Sequence, residues 1–135
     1  MNFKVLCLAG LAAGALAAPS APALAHHSFA MFDAEKTVTL KGTVKEFEWT
    51  NPHSWLRVMV TDDTGKTQQW ALEMGSPGQQ SRVGWKPDAV KPGDQVTVTI
   101  HPLNHGSRGG QFVFATLPNG MMLGNGGQRP NAAGD

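Results

Sequence analysis

Five histidines, His26, His27, His53, His101 and His105, are the residues of this chain best suited to chemistry. Neutral imidazole donates a lone pair to transition metals, and its two ring nitrogens allow one to bind while the other is held by the protein. His26 and His27 directly follow Ala23-Leu24-Ala25, a small-x-small site of the kind at which a secretory signal is cut. Cleavage there makes His26 the first residue, whose free α-amine and ring nitrogen chelate one ion together. The amine titrates near pH ~8, so losing its proton to a metal at neutral pH costs little. His27 offers a second mode through the amine, its own backbone nitrogen and its ring. Nitrogen-rich sets of this kind suit Cu(II) best in the usual divalent order. The expected metal ligands are therefore His26, His27, His53 and His105, and the expected cofactor is Cu(II), copper before zinc.

A plainer account of each residue stands beside this one. No pair of histidines forms an H-x-x-x-H metal site on a helix. An N-terminal histidine pair also serves as an ordinary start to a mature chain. His53, after Pro52, can cap a turn, and His101, in a strand, can face solvent. Asp33 and Glu35 offer oxygen ligands or are ordinary exposed acids. Five methionines beyond the first residue supply soft sulfur, but core packing explains Met59 and Met74 better.

The first 25 residues read as a signal peptide: Lys4 before an apolar run over residues 5–18, then Pro19 and the cleavage site. A run of about 14 apolar residues is too short to span ~30 Å of hydrocarbon. Cys7, the one cysteine, lies in that run, so the mature chain has no disulfide, thiol nucleophile or thiolate metal site. The expected location is the bacterial periplasm, with secretion to the medium as the lesser option. Of eleven Lys and Arg only Lys4 precedes the cut, leaving ten against ten Asp and Glu. That balance predicts no electrostatic pull toward nucleic acid or anionic lipid. The expected partner is an unknown periplasmic protein or small ligand, with no nucleic acid, no membrane span after cleavage and a monomeric chain.

Positioning these residues falls to a β-rich domain. Residues 37–49 alternate and are rich in Val and Thr, with Val38, Leu40 and Val44 on one face and Phe47 and Trp49 on the other. The change of face predicts a bulge within residues 42–46. Asn51-Pro52 punctuates the run, residues 54–62 form a second strand, and Asp63-Thr64-Gly65-Lys66 forms a hairpin connection. A third strand over residues 67–74 puts Trp70, Leu72 and Met74 on one face. Ser76 suits an N-cap and Pro77 a first helical position, predicting a short helix to about Gly84. Strands follow at residues 95–102, 111–117 and 121–123. Residues 124–135 carry too little apolar content to order themselves and read as a disordered tail.

The expected fold is all-β: a small OB-like barrel of five to six strands with one short helix between strands three and four. The rival is a β-sandwich, and the single helix between strands three and four favours the barrel. The domain plan is a signal peptide at 1–25, an N-terminal arm at 26–36, the barrel at 37–123 and the tail at 124–135. In OB barrels the first-to-second and fourth-to-fifth strand loops border the ligand-binding face. That puts His53 on one loop and His101 and His105 on the other, and it predicts that His53 and His105 approach each other. Trp55, His101 and Arg108 are the expected further residues of that face.

Read in order, Ala25-His26-His27-Ser28-Phe29, Phe32-Asp33, Gly42-Thr43-Val44, Trp49-Thr50-Asn51-Pro52-His53, Trp70-Ala71-Leu72-Glu73, Gly84-Trp85 and Lys91-Pro92-Gly93-Asp94 carry a resemblance. Together they resemble a family of small exported bacterial proteins known only as a domain of unknown function. The resemblance runs from His26 to Leu123 and implies an OB-like fold, with no activity attached.

Catalysis finds little support. There is no thiol and no nucleophile elbow, and Ser54 beside His53 is adjacency rather than a triad. Gly106-Ser107-Arg108-Gly109-Gly110 lacks the Lys-Ser/Thr ending and helix of a phosphate loop. The expectation is a non-enzyme: a periplasmic small binding protein holding a transition metal through histidines. The alternative is a metal-independent protein-interaction or small-ligand module using the same barrel face.

Overall fold

The computed structural model describes residues 29–126; the expected signal peptide, His26, His27 and the tail beyond residue 126 lie outside the described residues. Period-two alternation becomes six strands: β1 (Val38–Glu48), β2 (Trp55–Thr61), β3 (Thr67–Glu73), β4 (Gln95–Pro102), β5 (Gly109–Thr116) and β6 (Met122–Gly124). One helix, α1 (Pro77–Ser81), lies between β3 and β4, and a short 3-10 turn spans Phe29–Met31.

β1 pairs antiparallel with both β2 and β4, and β4 pairs antiparallel with β5. β3 pairs antiparallel with β2 and parallel with β5, through Ala71↔Gly109, Leu72↔Gly110 and Glu73↔Gln111. The circuit β1-β2-β3-β5-β4 therefore closes on itself, which is the OB-like barrel. β6 takes the later part of the β5 edge, beyond the reach of β3. Closure demands close backbone approach at Gly110, where a Cβ would stand 2.4 Å from the His101 carbonyl oxygen.

The bulge lies at Lys45: Val44 faces Val58, Glu46 faces Arg57, and Lys45 is the extra residue. One residue of slip restores the inward phase, so Phe47 opposes Leu56 and packs on the core with Leu40 and Val44. The two apolar faces expected along this strand are therefore one face, joined by the bulge. The core is completed by Leu72, Val98, Ile100, Phe112, Ala115 and Trp85. Trp85 is 1% exposed and lies between Phe47 and Phe112, with ring centroids 5.5 and 5.6 Å away.

α1 ends sooner than the expected Gly84. Ser76 and Gln79 close a capping box at its start, but the chain turns after Ser81 and reaches Gly84 at φ +99°. Glycine alone adopts that conformation freely, and the turn it permits delivers Trp85 to the core. The far side of this closure is polar: buried Asn125 accepts from Gln80 Nε2 at 2.6 Å and from the Gly75 amide at 3.0 Å, and donates to the Phe112 carbonyl at 2.9 Å. Gly124 and Asn125 thus belong to the packed barrel, two residues past the expected boundary at Leu123. The arm also packs: Phe32 is buried and bridges to Leu103, and the Asn104 amide donates to the Met31 carbonyl.

Candidate metal centre

His53 sits in the loop between β1 and β2, after the cis Asn51–Pro52 bond, with Thr50 Oγ1 donating to its carbonyl at 3.0 Å. The Ser54 amide donates to the Gly75 carbonyl, and the Met74 amide donates to the Ser54 carbonyl, so this loop is stitched to the end of β3. The ring is stitched as well: His53 Nδ1 lies 3.1 Å from the Met74 carbonyl oxygen. A carbonyl only accepts, so Nδ1 carries the proton, and in the neutral ring the lone pair belongs to Nε2. Nε2 lies 3.6 Å from Glu73 Oε1, the carboxylate that ends β3. Glu73 is buried, at 7% exposure.

Glu73 shares the outer face of the β1-β2-β3 sheet with Trp55, its direct partner, and with Glu48, which pairs Trp55 from the other side. Next along, Arg57 binds Glu48 through two nitrogens, contacts Glu46 Oε2 at 3.3 Å, and lies 5.9 Å from the Trp55 ring centre. Glu46 and Glu48 thus hold an arginine.

The other expected site residues go elsewhere. His101 Nδ1 donates to the Lys36 carbonyl at 2.8 Å, which pins the arm to β4. His105 is exposed in the loop between β4 and β5. That loop runs beside β3, where the Ala71 amide donates to the Arg108 carbonyl. With its amide oxygen turned to these donors, Gln68 accepts from Arg108 Nη1 at 3.2 Å and from Lys66 Nζ at 3.1 Å. Among the described residues no three His, Cys, Asp or Glu side chains gather as a metal-binding group. The expected convergence of His53 and His105 on one metal does not form among them, because their loops reach β3 at different places: Glu73 and Met74 for one, Gln68 and Ala71 for the other. Ser54 Oγ is buried and makes no hydrogen bond among the described residues, so it is not joined to the His53 ring.

A model of one family matches residues 13–112, most of the chain. The chain belongs to DUF6152, a family of unknown function. The uncharacterised family expected from the His26-to-Leu123 motifs is thus borne out as a family. No curated protein matches this DUF6152 chain. Among solved structures it is similar to the mitochondrial single-stranded DNA-binding protein Rim1 from S. cerevisiae, at 14% identity and a TM-score of 0.44. That match covers 61% of this chain and 93% of the other. No helix among the described residues is long and apolar enough to cross a membrane.

Sequence reasoning missed Glu73 as a partner of His53. The two are twenty residues apart, and nothing in a strand reading TQQWALE marks its last carboxylate as buried. The available signal was the combination of a histidine after the first strand with an acid at the end of the third. Those positions meet only when β2 and β3 pair in this register.

Proposed function

We propose that this protein is an exported, periplasmic binding protein that holds a transition metal, copper before zinc, at His53, with His26 and His27 of the processed N-terminus supplying further nitrogen. The observation that carries this reading is the His53 Nδ1–Met74 carbonyl bond. Metal-binding histidines characteristically donate their other ring N–H to a backbone carbonyl or carboxylate, which sets ring orientation and leaves the second nitrogen for the metal.

We read the role as binding rather than catalysis: among the described residues Arg57 on this face is matched by Glu46 and Glu48, and buried Ser54 Oγ makes no hydrogen bond. A second reading, a metal-independent small-ligand module, is favoured by a cleft of about 290 Å³ against Trp70, between the arm residues Asp33 and Lys36 and the loop residues Asn104 and Ser107.

The test begins with the protein expressed with its leader and recovered from the periplasm, its first residue read by mass spectrometry. Cu(II) titration with electron paramagnetic resonance should show one ion per chain and nitrogen coupling. One extra Ala before His26, and separately His53→Ala, should each weaken binding by about 10-fold or more. Binding no tighter than that of a free peptide with the sequence His-His-Ser-Phe would refute the metal reading and leave the small-ligand one.

A further inference from the structure

We propose that Glu73 is a metal ligand beside His53, which makes the site a mixed imidazole–carboxylate centre for a divalent cation rather than an all-nitrogen one. This rests on the metal reading above and changes its ligand set, its charge and the ions it selects.

The first argument is distance. His53 Nε2 and Glu73 Oε1 stand 3.6 Å apart. That is longer than the roughly 2.7–3.2 Å of an N–H···O hydrogen bond. It is, however, an ordinary separation for two atoms bound to one ion. With metal–nitrogen and metal–oxygen bonds of about 2.0–2.2 Å, a 3.6 Å chord subtends an angle of about 120°. That lies near tetrahedral and trigonal angles, so a cation fits between them with little movement of either side chain.

The second argument is rigidity. Glu73 is fixed on both sides, paired with Trp55 of β2 and Gln111 of β5. His53 is fixed by the Thr50 hydroxyl, by the paired amides of Ser54 and Met74, and by its own ring bond to the Met74 carbonyl. Met74 follows Glu73 directly, so the residue that orients the imidazole is bonded to the residue that supplies the carboxylate. Donors held this way on strands and strand-anchored loops keep their geometry better than donors on free loops.

The third argument is ligand chemistry. One imidazole and one carboxylate suit borderline divalent ions, Cu(II) and Zn(II), and disfavour Cu(I), which takes soft sulfur ligands.

The experiment uses the processed full protein with Cu(II), and Zn(II) for magnetic resonance. Glu73→Gln keeps the shape of the side chain and removes its charge. Its Cu(II) affinity should fall about 10-fold or more, and its paramagnetic spectrum should move, with circular dichroism and tryptophan emission unchanged. Glu73→Asp should fall between the two. Independently of any variant, adding Zn(II) to the wild-type protein should shift both the Glu73 carboxyl carbon and the His53 Nε2 resonance. A Zn(II) shift at His53 with none at Glu73, or a folded Glu73→Gln protein with wild-type affinity and spectrum, would overturn the carboxylate ligand while leaving the histidine site standing. Shifts at neither residue, with no Cu(II) binding above the peptide level, would show an ordinary histidine–glutamate contact and remove both proposals together.

Discussion

The ring of His53 is tied to the backbone carbonyl of Met74, at 3.1 Å from Nδ1 to oxygen, across twenty-one residues of sequence. The contact joins the loop before β2 to the residue after β3, and it decides which face of the imidazole meets Glu73.

That bond makes a direct prediction. In the metal-free protein the neutral ring of His53 should carry its proton on Nδ1, because the carbonyl has none to give. Long-range nitrogen–proton correlation spectra at alkaline pH read the tautomer. A proton on Nε2 instead would show that the ring is not held by Met74.

Asn125 links three parts of the chain that share no sequence neighbourhood: Gln80 of α1, Gly75 after β3, and Phe112 of β5. Asn125→Ala leaves buried donors and an acceptor without their partner, at about 1–3 kcal/mol for each group left unsatisfied. Urea unfolding should show a loss of about 3 kcal/mol, and Trp85 emission should report loosening at that end of the barrel first. A change within about 0.5 kcal/mol, the range of an ordinary surface substitution, would contradict this packing.

Gly110→Ala should be worse than its size implies. The new methyl would lie 2.4 Å from the His101 carbonyl oxygen and 2.9 Å from Ile100 Cδ1, so the β4–β5 ladder must move. Overpacking of this kind costs about 3 kcal/mol. Gly78→Ala, with no atom within 4 Å of its added carbon, is the control and should be nearly silent in thermal unfolding.

The hairpin between β2 and β3 carries a pH dependence. Asp62 Oδ1 accepts from the Thr64 hydroxyl at 2.5 Å, the Lys66 amide at 3.0 Å and the Thr64 amide at 2.9 Å. The Thr64 hydroxyl first, then the Lys66 amide, hold its pKa below the ordinary 3.8. A carboxylate with a depressed folded-state pKa stabilises the fold above its unfolded-state value, and that stabilisation is lost as pH falls through the folded value. Asp62→Ala should therefore melt below the wild type at neutral pH, with the gap closing in the acid range below 3.8. A gap constant down to strongly acidic pH would refute the role of these bonds.

Much of the fold was legible because it depends on local patterns. Alternation in QVTVTIHP, the Ser76-Pro77 start of α1 and the phase slip near Lys45 are each signals read within a dozen residues. They sufficed for an OB-like barrel with one helix between its third and fourth strands. The end of α1 was less legible, since tertiary packing of Trp85 cut the helix short where propensity would have let it run. The boundary at Leu123 was missed for a similar reason: Gly124 and Asn125 have no apolar surface to announce burial, and Asn125 is held instead by hydrogen bonds to distant backbone.

By itself, the sequence determined the strand pattern, the family and a histidine after the first strand, because side-chain period and motif order are properties of neighbours along the chain. Only the tertiary structure decided that Glu73 is the carboxylate beside His53, that His101 holds the arm, and that His105 lies out on the other loop. Each of those outcomes depends on strand register and barrel closure. They set which distant residues meet, and no local pattern encodes them.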